Sequence, residues 1–238
     1  DVRTYLKDVR ASYTSESTIS AYIRPVHKFW RWASKEYNLA NPARNVGYPG
    51  KIRPEPKAAH MADIQAMYEA TEGTPTGTRD RAILAFLLDT GVRSQGLREL
   101  RVDALDMAGR KAIVTEKGNK TRTVIFSSHT AALLKQWLAI REPVPEVFYN
   151  VNTLEPLTKS GLYQLLKRLA RRAKVKGAFN PHAFRHAFAR EYLANGGDLA
   201  TLAALMGHRD AKTTIDHYLI FSQEEIQNKH DEYSPVKN

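Results

Sequence analysis

Between residues 18 and 33 the apolar side chains Ile19, Tyr22, Ile23, Val26, Trp30 and Ala33 recur at spacings of three and four, which lines one face of a helix. Pro25 lies inside this run. Proline has no N–H to donate and crowds the preceding turn, so a kink or interruption is expected there. The pattern stops at Asn41-Pro42, and Tyr48 to Lys57 is rich in proline and basic residues, as an extended linker would be. Helical spacing returns at 61–71, 79–90, 129–141, 159–174, 182–195, 198–206 and 222–232, the last opening with a Ser222-x-x-Glu225 capping box. The exceptions are Lys111–Thr115 and Thr121–Phe126, which read as two strands joined by a turn over 116–120.

These elements predict a mainly α protein with a small antiparallel β-sheet, in two domains. The first, 1–45, is a helical domain. A basic, Pro-rich linker spans 46–57, and the second domain, 58–238, ends in a capped helix and polar tail at 222–238. The chain shows no internal repeat and no low-complexity tract.

Charge sharpens this picture. The 238 residues carry a formal net charge of +11, a field that attracts polyanions and makes nucleic acid the leading partner. Residues 1–57 hold 11 Lys/Arg against 5 Asp/Glu, and residues 58–238 hold 25 against 20, so the small first part is the more densely basic. That distribution suits a domain and linker that wrap a charged backbone, with a solvated helical face as the alternative. No cysteine is present, which removes disulfides, thiolate metal sites and cysteine nucleophiles. No apolar run reaches the roughly 18 residues of a membrane span, and Asp1-Val2-Arg3 does not open a signal peptide, so no membrane partner and a cytoplasmic location are expected. The absence of an initiator Met suggests a piece of a longer protein or a processed chain.

Three segments set cations beside turns: Thr90-Gly91-Val92-Arg93, Pro181-His182-Ala183-Phe184-Arg185-His186 and Leu205-Met206-Gly207-His208-Arg209-Asp210. Gly91 is a natural helix terminator, so Arg93 emerges where one helix stops and another begins. Read alone, Arg93 is more readily a surface or carboxylate-paired arginine than a functional one. His182 and Arg185 stand three apart on a helix that Pro181 starts, a spacing at which both can meet one anion. His182 and His186 could instead chelate zinc, but the helical zincin pattern needs Glu after the first His, where Ala183 stands. Tyr218 lies ten residues past His208, and with eleven tyrosines in the chain nothing intrinsic marks it.

Taken together and in this order, these segments resemble the catalytic domain of the tyrosine recombinases, the family of phage integrases and chromosome-dimer resolvases. Thr90-Gly91-Val92-Arg93 is similar to the family's first arginine box, and Lys117-Gly118-Asn119-Lys120-Thr121-Arg122 to its hairpin lysine box. Pro181–His186 matches its His-x-x-Arg-His box, Leu205–His208 its Leu-Gly-His box, and Thr213-Thr214-Ile215-Asp216-His217-Tyr218 the tyrosine segment of some integrases. Residues 14–45 resemble the core-binding domain, shortened at its start. One departure is Gly96, where many members carry Glu, which puts a supporting contact to the neighbouring helix in question.

The resemblance implies a two-domain C-shaped clamp that breaks and rejoins double-stranded DNA through a 3′-phosphotyrosine on Tyr218, without metal, ATP or other cofactor. Attack on a phosphodiester builds charge on its non-bridging oxygens, which Arg93 and Arg185 would clamp. A phenol with a pKa of about 10 needs help at neutral pH, and His182 is the candidate for its proton. Lys117 would protonate the leaving 5′ oxygen, with Lys120 as the substitute, and His208 would add a hydrogen bond to the phosphate. Lys28, Arg31, Lys51, Arg53, Lys120 and Arg122 are expected at the DNA. A homotetramer on paired sites, association with the nucleoid and accessory directionality factors follow from the same resemblance, as does a C-terminal tail packed on a neighbour or folded back in cis. Two alternatives remain: a type IB topoisomerase-like activity, which uses the same attack without exchanging partners, and a DNA-binding regulator that keeps the fold and forms no covalent adduct.

Overall fold

A computed structural model describes residues 1–47, 57–74, 76–116, 118–207 and 227. The chain divides into two compact units, Asp1–Glu55 and Pro56–Asn238.

In the first unit, α1 (Val2–Ser12) packs on α2 (Glu16–Tyr37). Leu6 and Val9 of α1 and Ile19 and Ile23 of α2 are buried together, each pair at one-turn spacing. Tyr13 and Tyr22 stack at 4.9 Å between ring centroids beside this core. Of the kink or interruption expected at Pro25, the interruption does not occur: α2 runs on through it. Pro25 and Ala21, whose carbonyl loses its partner, are both exposed, so water can serve that carbonyl while Ile19 and Ile23 anchor the helix on the other face. Tyr22, placed by its spacing on the apolar face, is 40 % exposed.

The second unit begins with α3 (Met61–Glu69) and α4 (Gly77–Thr90). A five-residue α5 (Ser94–Arg98) and a three-residue 3-10 turn (Val102–Ala104) follow. Then come β1 (Leu105–Asp106), β2 (Lys111–Glu116) and β3 (Lys120–Ile125), and the helices α6 (Ser128–Ile140), α7 (Lys159–Arg172), α8 (Pro181–Ala194) and α9 (Leu199–Met206). Helix α4 is the hub. From Ala82 to Leu87 every side chain is buried, and α3, α6 and α8 pack around it. Phe86 stands against Phe126 and Phe148 at 5.9 and 6.2 Å between centroids. Asp80 at the start of α4 is wholly buried and is neutralised by Arg79 and Arg168, each at 2.7 Å.

The sheet is antiparallel in the order β1-β2-β3. The two expected strands form, and the two-residue β1, too short to leave a periodic signal, adds an edge. In β2 the side chains alternate, Ala112, Val114 and Glu116 inward and Lys111 and Ile113 outward. The sequence pattern puts Glu116 in the turn. It is instead the last strand residue, and the two-residue period turns its carboxylate into the protein. The helix expected at 222–232 lies outside the described residues, apart from Gln227, which is helical.

Candidate active site

Helix α4 ends at Gly91, whose left-handed φ of 55° reverses the chain. A Cβ on Gly91 would stand 2.5 Å from Phe188 Cδ1 of α8 and 3.2 Å from Met206 Sδ of α9, so only glycine lets these elements meet here. Two residues later Arg93 takes the N-cap position of α5, with its side chain one-third exposed.

Asn180 caps α8 by accepting the Ala183 N–H at 3.1 Å, and Pro181 occupies the first turn. This presents His182 at the exposed start of the helix and sends Arg185, one turn on, into the protein, where it is 5 % exposed. Arg185 donates through Nη1 to the Gly91 carbonyl oxygen at 2.5 Å and through Nη2 to that of Met206 at 2.6 Å. One guanidinium thus joins the turn that carries Arg93 to the last turn of α9, whose carbonyls have no intrahelical partner. Partial burial pushes the His182 pKa below its ordinary value, and the nearby charges of Arg185, Arg93 and Lys159 push it the same way. His182 is therefore neutral at pH 7 and can accept a proton. Arg93, His182 and Arg185, expected together from the sequence, converge on one place.

The geometry adds two residues. Lys159, the first residue of α7, brings another cation to His182. Glu116 accepts from Arg93, through both the backbone N–H at 3.2 Å and Nη1, and from Arg122 Nη2 at 3.1 Å. Burial alone would raise the Glu116 pKa, but the hydrogen bond and charge of Arg122, joined by Arg93, outweigh it and hold the carboxyl below its usual range. The inward face of β2 offered a signal for Glu116; for Lys159 the sequence offered none.

Arg122, expected at DNA, is directed inward, its side chain 13 % exposed and its Nη1 donating to the Leu205 carbonyl oxygen at 2.6 Å. Lys120 is exposed at the start of β3, beyond a turn in which Gly118 and Asn119 have positive φ. Lys28 and Arg31 are exposed on α2 of the first unit. Lys51, Arg53, Lys117, His208 and Tyr218 lie outside the described residues. Among the described residues no group of three His, Cys, Asp or Glu is placed to hold a metal ion, and no helix is long and apolar enough to cross a membrane.

The same arrangement of elements recurs in solved structures. A Tn1549 transposon integrase in complex with a circular intermediate DNA superposes with a TM-score of 0.81 at 18% identity, covering 98% of this chain and 84% of that one. The XerH recombinase bound to a palindromic difH substrate, a post-cleavage complex, superposes at 0.78 with 20% identity over 97% of this chain and 72% of that one. In sequence the chain is 28% identical to the tyrosine recombinase XerC of Staphylococcus carnosus over 221 residues, 90% of this chain and 74% of that protein. It is 27% identical to XerC of Lacticaseibacillus casei over the whole of this chain and 83% of that protein. The model of the phage integrase family matches residues 59–225, most of the chain, including the segments that carry Arg93, His182 and Arg185. With its helical fold and the convergence of Arg93, His182 and Arg185, the chain belongs to the phage integrase family and is a site-specific recombinase of the tyrosine type.

Proposed function

We propose that this recombinase cleaves and rejoins double-stranded DNA through a 3′-phosphotyrosine intermediate on Tyr218, exchanging strands between two sites. The observation that carries this reading is the pair of bonds from Arg185 to Gly91 and Met206, which gathers three segments far apart in sequence around the start of α8.

The Tyr218 hydroxyl oxygen attacks phosphorus while the bond to the 5′ oxygen breaks. The phenolic proton passes to His182, whose lowered pKa keeps an imidazole nitrogen open. Arg93 and Arg185 face the charge that grows on the non-bridging oxygens. Lys117 gives its proton to the leaving 5′ oxygen, and His208 adds a hydrogen bond. Because the phosphodiester is exchanged for a phosphotyrosine ester, the 5′ hydroxyl of a second strand can reverse the step with no external energy source. The XerH and Tn1549 structures hold DNA, and the charge of +11 suits that partner here. Lys28, Arg31, Lys51, Arg53 and Lys120 supply phosphate contacts in this reading. The first unit and linker contribute DNA contacts beside the catalytic unit's own, and four protomers assemble on two sites in the cell's nucleoid, with accessory factors setting direction.

The test is incubation with nicked suicide duplexes, drawn from a pool broad enough to include the site, without metal or ATP. Wild type yields a denaturant-resistant protein–DNA band and Tyr218→Phe yields none; a labelled second site is joined to the first. A band that persists in Tyr218→Phe overturns the nucleophile. Absence of any band on DNA that the protein binds specifically overturns the mechanism.

A further inference from the structure

We propose that Glu116 is a positioning residue for strand cleavage: its carboxylate aims Arg93 and ties it, through Arg122, to the end of α9. The proposal rests on the reading of Arg93 as a phosphate-binding residue.

Three observations support it. First, Glu116 is 5 % exposed and holds a negative charge, a costly arrangement unless the charge is well paired. Both its oxygens are engaged, Oε2 by Arg93 Nη1 and Oε1 by the Arg93 backbone N–H and Arg122 Nη2. Among the described residues it is the one carboxylate hydrogen-bonded to Arg93. A guanidinium has five N–H donors in a rigid fork, so anchoring Nη1 fixes the direction of the others while the side chain stays one-third exposed.

Second, Gly96 lets α5 lie close against β2 beside Glu116. A Cβ there would stand 2.8 Å from Val92 Cγ2, 3.2 Å from Val114 Cβ and 3.5 Å from Glu116 Cγ. The carboxylate beside α5 comes from across this close approach, from the last residue of β2.

Third, the linkage continues. The other arm of Arg122 holds the Leu205 carbonyl oxygen at 2.6 Å, and Arg122 Cδ lies 2.6 Å from where a Cβ on Gly207 would stand. Glu116, the residue before Lys117, therefore ties Arg93 to the end of β2 and, through Arg122, to the turn preceding His208. Two arginines against one carboxylate leave a surplus positive charge for a phosphate.

The experiment is a double-mutant cycle on single-turnover cleavage of a suicide duplex by preformed full-chain complexes, with Arg93→Ala, Glu116→Gln and the double variant. Arg93→Ala slows cleavage about 100-fold or more and Glu116→Gln about 10-fold or more, while the double variant stays within about 2-fold of Arg93→Ala, since Glu116 acts only through Arg93. A purely structural role predicts that the two losses multiply, and this result overturns the proposal, as does wild-type cleavage by Glu116→Gln. If Arg93→Ala itself cleaves at the wild-type rate, the role of Arg93 falls and this proposal with it, while the adduct on Tyr218 remains a separate test. If circular dichroism shows Glu116→Gln unfolded, the cycle is run with Glu116→Asp, which keeps the charge and withdraws it by one methylene, and the same outcomes decide.

Discussion

Arg185 Nη2 donates to the Met206 carbonyl oxygen at 2.6 Å, bridging α8 to the final turn of α9 while its Nη1 holds Gly91 at the end of α4. A charged side chain 5 % exposed is the tie between three helix ends. In the proposed mechanism, its place in the core makes structure and cleavage depend on the same guanidinium.

Arg185→Ala is expected to cost stability as well as cleavage. Two carbonyls lose their donor in a buried setting, at about 1–3 kcal/mol each. Urea unfolding of the DNA-free protein checks this; a stability equal to wild type would show that neither bond contributes.

Gly91→Ala and Gly73→Ala separate backbone strain from crowding. Both glycines have left-handed φ, 55° and 62°, but a Cβ at Gly73 meets nothing within 4 Å whereas one at Gly91 meets Phe188. Gly73→Ala is expected to cost about 1–2 kcal/mol from the left-handed backbone alone. Gly91→Ala adds about 1–3 kcal/mol of overpacking. Equal losses in chemical denaturation would contradict the close approach of α8.

His182 sets a pH dependence whose sign follows from its depressed pKa. In the proposed mechanism it accepts a proton and works when neutral, so single-turnover cleavage is expected to rise with pH through a value below the ordinary 6.5 or so. Its contribution to stability runs the same way: present above the unfolded-state value and lost as pH falls through the folded one. Lys159→Gln removes one of the cations that depress it, so the acid limb of the rate profile should move to higher pH. A limb that stays in place, or moves down, would show that Lys159 does not act on His182.

Asp80→Ala tests the ion cluster at the start of α4. Asp80 is wholly buried between Arg79 and Arg168 and also accepts from Thr76 at 2.8 Å. Removing it leaves the buried Arg79 uncompensated, an expected loss of about 3–5 kcal/mol. Cleavage per folded molecule should be unchanged at 25 °C, because the cluster lies at the end of α4 opposite Gly91. Intact stability in a urea titration would contradict the pairing.

The sequence by itself determined what repeats locally. Apolar spacing located the long helices from α2 onward, because burial of one helical face leaves a period of three to four. Alternation located β2 and β3, and Gly91 and Pro181 marked the ends that present Arg93 and His182. Short elements escaped it: α5 and β1 span five and two residues, too few to show a period. The helix through Pro25 escaped it too, since solvent access to a freed carbonyl is a property of the fold.

Tertiary structure alone decided the partners of the charges. Arg93 and Glu116 are 23 residues apart, Arg122 and Leu205 83, Arg185 and Gly91 94. A periodic pattern records which face of an element is apolar and carries no information about which distant group meets a polar one. So Arg122 read from the sequence as a DNA contact and Glu116 as a turn residue, whereas the packing around β2 and β3 buries Glu116, turns Arg122 inward and makes each the other's counter-ion.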